Sequence, residues 1–141
     1  MANFIPNSVK NNIWNSGMPD LTTLVIKPML VDHADDTPVV GDDFIDDILS
    51  AARVPAIASC PALASKTNGV VAVGTFDAAD ATFTGLTGDQ SESLILFEDS
   101  GSEATSDIIC RWDTGVTGLP VTPSGGDVVI AFHATGILTA A

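Results

Sequence analysis

From Arg53 onward the apolar positions alternate with polar ones or gather in short runs, the period of β-strands rather than of helices. Ala81 and Phe83 alternate with Thr82 and Thr84, and Ile108, Cys110 and Trp112 recur at every second position. The pattern predicts strands over Val54–Ala64, Val70–Phe76, Ala81–Thr84, Ser93–Glu98, Asp107–Trp112, Asp127–Phe132 and Gly136–Thr139. Turn residues separate them: Thr67-Asn68-Gly69, Thr87-Gly88-Asp89, Asp99-Ser100-Gly101, Asp113-Thr114-Gly115 and Pro123-Ser124-Gly125-Gly126. Short strands at regular spacing predict a mainly β chain: a single-domain β-sandwich or small barrel, with one or two short helices near the N-terminus.

The first third reads differently. Residues 7–16 predict a short helix, with Asn7 or Ser8 as cap, Val9 and Ile13 one turn apart, and Gly17 at its end. Leu21–Val31 predicts a strand, and Pro28 inside it implies an edge position or a bulge, because proline withholds a ladder donor. Between Asp32 and Asp47 lie seven aspartates and no Lys or Arg. Phe44, Ile45, Ile48 and Leu49 are spaced for one or two helical turns within it. Residues 1–20 are therefore expected to be an N-terminal arm, and residues 21–141 one β domain.

Charge narrows the function. Five Lys+Arg face eighteen Asp+Glu, a formal net charge of −13. Phosphate contacts need a basic face, so nucleic acid and anionic membrane surfaces are not expected partners. Only 16% of residues are charged while 45% are hydrophobic, which fits either a well-filled β core with many Ala residues or a surface largely covered by partner subunits. No apolar run is long enough to predict a membrane-spanning helix. The opening Met1-Ala2-Asn3-Phe4-Ile5-Pro6-Asn7 lacks the pattern of a secretory signal, so a cytosolic setting is expected.

Candidate chemistry is sparse. His33 lies among Asp32, Asp35 and Asp36, but the spacing lacks the Gly and distal Glu of an EF-hand. A solvated acidic loop and no metal site is the expectation. His133 is expected to be half-buried or at an edge. Cys60 and Cys110 match no zinc or redox spacing and are expected to be buried free thiols on strands. No GxSxG elbow is present, and Ser124-Gly125-Gly126-Asp127 precedes a strand rather than a helix. No enzyme activity, catalytic residue or cofactor is expected.

Several segments resemble small virion proteins of tailed bacteriophages. They are the opening through Val9-Lys10-Asn11, the run from Asp20 to Val31, and Phe76-Asp77-Ala78-Ala79-Asp80-Ala81-Thr82-Phe83-Thr84. Leu94 to Gly101, Ala104 to Ile109 and Gly118 to Val128 follow in the same order, while residues 32–69 match less well. Phe97-Glu98 departs from the Tyr-Lys usual in that family. The resemblance implies a virion structural protein, most simply a capsid cement or decoration protein on the outer face of the major capsid protein shell, made in the bacterial host cytoplasm. A tail or head-completion connector, or a host-glycan or receptor-binding module, is the alternative. Together with the low charge fraction it implies self-association, expected as a homotrimer. Phe4, Ile5, Val9, Ile13 and Trp14 on the arm are expected either to pack on the chain's own β domain or to be interface residues, with Trp14 as anchor. If the docking face is charged at all, it is expected to carry Lys10, Lys27, Arg53, Lys66 and Arg111.

Overall fold

A computed structural model describes residues 3–15, 20–114 and 116–139; the side chains of Ile13 and Trp14 lie outside the description. Among the described residues one helix, α1 (Asn7–Asn15), precedes nine short strands. These are β1 (Ile26–Val31), β2 (Arg53–Val54), β3 (Thr67–Asn68), β4 (Thr75–Asp77), β5 (Ala81–Phe83), β6 (Ser93–Glu98), β7 (Ile108–Trp112), β8 (Val128–Ile130) and β9 (Leu138–Thr139). They form three antiparallel sheets ordered β2-β1-β6-β7, β3-β4-β9 and β5-β8. The chain is a single small, mainly β domain.

The β1–β6 pair is its spine. All six residues of β1 face a partner on β6, from Ile26 opposite Glu98 to Val31 opposite Ser93. Both strands are buried almost without interruption, so each face of this sheet is covered. Ile95 and Phe97 pack with Met29, Val31, Ile108, Phe83 of β5 and Ile130 of β8. Leu96 packs with Ile26, Cys110 and Phe76 of β4 in a second cluster. Burial of each such side chain contributes about 1.5–3 kcal/mol. Leu96 faces Cys110 but Phe97 faces Ile108, so Ile109 is an extra residue in β7. That bulge lets Ile109 and Cys110 both join the second cluster.

Several expected strands are corrected. The Leu21–Val31 strand begins only at Ile26, and β1 is interior rather than at an edge. Pro28 is tolerated because its nitrogen faces away from β6. On that side the Ile26 carbonyl accepts from Leu63 N–H at 2.8 Å and Asp32 N–H donates to Ala52 at 2.9 Å, while β2 pairs only with Leu30 and Val31. Val54–Ala64 is not a strand beyond Val54: a 3-10 turn, Ile57–Ser59, lies between Pro55 and Pro61, neither of which can donate to a ladder. Cys60 follows that turn and is not on a strand. Val70–Phe76 divides, with β4 starting at Thr75 and the valines in the connection from β3. The strands predicted over Asp127–Phe132 and Gly136–Thr139 shorten to β8 and β9.

The aspartate run has a structural use that its charge alone does not suggest. Asp32, Asp36, Asp42 and Asp47 accept backbone N–H groups of Ala34, Leu49, Val39, and both Asp43 and Phe44. Asp43 accepts Ser8 N–H at 3.0 Å, and Val40 C=O accepts Asn7 N–H at 3.2 Å. Two first-turn donors of α1 are thus taken up by this segment. A single 3-10 turn, Ile45–Asp47, stands where one or two helical turns were expected.

Candidate functional site

The free edge of β7 is where the N-terminal arm meets the domain. Phe4 N–H donates to Arg111 C=O at 3.1 Å and Arg111 N–H donates to Phe4 C=O at 3.0 Å. Asn3 extends this contact: its Oδ1 accepts from Asp113 N–H at 3.0 Å, and its Nδ2 donates to Thr114 C=O at 3.1 Å. Further along the same edge, Ile108 N–H donates to Asp43 C=O. Of the expected interface residues, Phe4 and Ile5 are half-buried and Val9 is buried. Ile5 packs on the second core cluster of this same chain. The Ile13 and Trp14 side chains lie outside the described residues.

Arg111 is the centre of this junction and is only 1% exposed. Its Nη2 lies 3.0 Å from His33 Nε2 and 3.7 Å from Asp113 Oδ2, and its guanidinium carbon sits 5.4 Å from the centroid of the Phe4 ring. Its Nε and Nη1 have no hydrogen-bond partner among the described residues. His33 also hydrogen-bonds Ser93 Oγ at 2.8 Å, and its backbone N–H donates to Glu92. Burial, then the adjacent Arg111 charge, lowers the pKa of His33, and Glu92, Asp113 and Asp32 oppose that shift.

The expected set of docking cations is not a surface. Arg111 is buried, Lys27 pairs with Asp99 at 2.7 Å, and Arg53 binds Glu103 and the Ile48 carbonyl. Lys66 donates to the Leu24 carbonyl. Lys10 is exposed. Only five cations serve eighteen acids, so most are drawn into internal pairing. The hydrogen bond from Lys27 leads the causes that hold Asp99 below the usual carboxylate range.

The apolar surface feature that the strand pattern concealed is the β3–β4 connection. Val73 is 95% exposed, Val70 74% and Val71 44%. Gly69 and Gly74 flank them with φ of 69° and 75°. Those paired glycines were the signal for a turn; the valines between them read as strand because their β propensity dominates the local pattern. A groove of about 490 Å³ also opens between the arm and the C-terminal strand, floored by Ile5, Trp112 and Leu138.

Asp32, Asp35 and Asp89 each place one carboxylate oxygen within 4.8 Å of the others; Asp32 is buried and the other two are exposed. His33 is turned to Arg111 and Ser93 instead. Asp32 Oδ1 accepts the Ala34 N–H at 2.7 Å within this cluster. His133 is exposed, with Nδ1 2.7 Å from Thr135 Oγ1. No protein-family model and no curated protein matches this chain.

Both thiols are buried and unpaired. Burial pushes Cys60 up to about 12 and Cys110 well above its ordinary value. Thiolate is the reactive species, so neither thiol is a nucleophile near neutral pH. Alkylation of the folded protein should leave both unlabelled, and alkylation after unfolding without reductant should add two labels by intact mass. An unfolded mass lacking the labels would mean a disulfide.

Proposed function

We propose that the chain is a structural subunit of a tailed-phage virion, docked on the outer surface of the major capsid protein and stabilising the shell. The observation that carries this reading is the exposed valine tip between β3 and β4. Three valines held in water by a two-strand base are unfavourable in a free subunit and are favoured when a partner covers them. The resemblance of other segments of the chain to phage virion proteins, Phe76 to Thr84 just after the tip among them, supplies the identity of the partner. The chemistry of the described residues agrees with a structural role, since both thiols are held protonated and His33 is committed to a buried arginine. A charge of −13 suits an outward face and opposes contact with packaged DNA. Self-association into a trimer belongs to the same proposal.

The test is binding to shells that lack this protein. The intact chain should co-sediment with them. The double variant Val70→Asp, Val73→Asp should keep its melting temperature and lose about a hundredfold in affinity, the equivalent of roughly 3 kcal/mol. Equal binding by the variant overturns the role of the tip. A map of the particle should show many copies on the outside of the shell. A single ring at the portal would instead make the chain a connector, and a position inside the shell would refute the proposal.

A further inference from the structure

We propose that His33 and Arg111 form an acid-sensitive clamp that docks the N-terminal arm, so that mild acid releases the arm from the edge of β7. Three pieces of chain meet at this clamp: the segment after β1 through His33, β7 through Arg111, and the arm through Phe4.

The hydrogen bond fixes the state of the imidazole. A guanidinium has donors only, so in its 3.0 Å contact His33 Nε2 accepts from Arg111 Nη2, sharing its lone pair with the Ser93 hydroxyl at 2.8 Å, and the ring proton of the neutral form sits on Nδ1. Protonation of Nε2 removes that acceptor: the new N–H can be taken by Ser93 Oγ at 2.8 Å, but Arg111 Nη2 loses its partner and faces a like charge at 3.0 Å. The groups facing the pair are Glu92 ahead of β6, Asp113 after β7 and Asp32 beside His33, with Asp42 acting on Arg111. These carboxylates favour the protonated ring, and burial together with Arg111 outweighs them.

The two partners have unequal freedom. His33 is half-buried and turns to water, whereas Arg111 is enclosed and its Nε and Nη1 already lack acceptors. Once His33 leaves, Asp113 at 3.7 Å and the Phe4 ring remain beside the guanidinium among the described residues, with Asp42 acting from further away. A buried cation so poorly paired draws in water. Phe4 is the half-exposed cover over it, so hydration of Arg111 displaces Phe4 and the two main-chain hydrogen bonds that hold the arm. A base with a lowered pKa binds its proton more tightly in the undocked state. Docking is therefore strongest above the ordinary His33 value of 6.5 and weakens as pH falls from there toward the lowered one.

Hydrogen exchange on the full chain tests this. Between about pH 7.5 and pH 5, after correction for intrinsic rates, protection of the Phe4 and Arg111 amides should fall severalfold while β6 stays protected, because the undocked state binds the His33 proton more tightly. His33→Gln keeps a neutral acceptor for Arg111 and should abolish this pH dependence. Unchanged protection in the intact chain overturns the proposal, as does the same loss in His33→Gln. Should that variant not fold, NMR titration of the His33 ring in the intact chain decides. A ring that titrates below 6.5 and in step with arm release supports the clamp; one that titrates at or above 6.5 refutes it.

Discussion

Gly136→Ala is expected to cost about 3 kcal/mol or more and to lower Tm by roughly 10 °C, from the sum of backbone strain and overpacking. Gly136 adopts φ 105°, a conformation that side chains rarely take. A Cβ there would lie 2.0 Å from Thr75 Cγ2 and 3.2 Å from the Phe76 carbonyl oxygen. Thr75 is itself buried on β4, so the methyl group has little room to retreat. The close approach is a consequence of pairing: Ile137 N–H donates to Phe76 at 2.8 Å, which draws the turn at Gly136 against β4 just before β9 begins. Adding Thr75→Ala should recover the steric part of the loss and leave the conformational part. Gly126→Ala meets nothing within 4 Å and serves as the near-neutral control. Equilibrium denaturation of the three variants checks the argument, and a loss at Gly136 no larger than at Gly126 would refute it.

Phe97→Ala should destabilise the domain by about 3–5 kcal/mol, the range for emptying a fully enclosed aromatic site. Phe97 is 0% exposed and sits where the β6–β7 ladder shifts register, opposite Lys27 on one side and Ile108 on the other. It belongs to a core cluster that gathers Phe83 of β5, Ile130 of β8 and Ile45 of the first 3-10 turn with residues of its own sheet, so the surrounding core is closely filled. Phe97→Leu keeps most of the volume and should cost about 1–2 kcal/mol. Val129→Ala, on the exposed face of β8, should stay within about 0.5 kcal/mol. The denaturation midpoint should move in that order with an unchanged slope. A loss for Phe97→Ala as small as that for Val129→Ala would mean that the site is not enclosed.

The strands that were legible are the ones whose pattern had one reading. Ser93–Glu98 is observed with the predicted ends, and Ala81–Phe83 and Ile108–Trp112 differ by one residue at an end. Each is apolar at the positions the core needs and is followed by turn residues. Val54–Ala64 and Val70–Phe76 misled because their residue types favour extended backbone, while ladder formation depends on a partner strand and on available donors. Pro55 and Pro61 removed donors from the first. The glycines around the second turned the chain before any partner was met. The arm residues Phe4, Ile5 and Val9 were recognisable as apolar and in need of cover. That Phe4 finds cover on Arg111 was not visible, because the two are far apart in sequence and neither carries a motif.

By itself the sequence determined the mainly β class, the short helix over Asn7–Asn15 and the two unpaired buried thiols, since these follow from local periodicity, turn chemistry and composition. It also determined the acidic surface. Tertiary structure alone decided the rest. Strand order made β1 interior, with a proline tolerated where no neighbour needs its N–H. Long-range contacts turned the aspartate run into acceptors for backbone donors, including the start of α1, and sank Arg111 beneath Phe4 beside His33. The physical reason is that burial and pairing belong to the neighbours a residue acquires: a lone cation in a strand pattern reads as surface until the fold closes an edge over it.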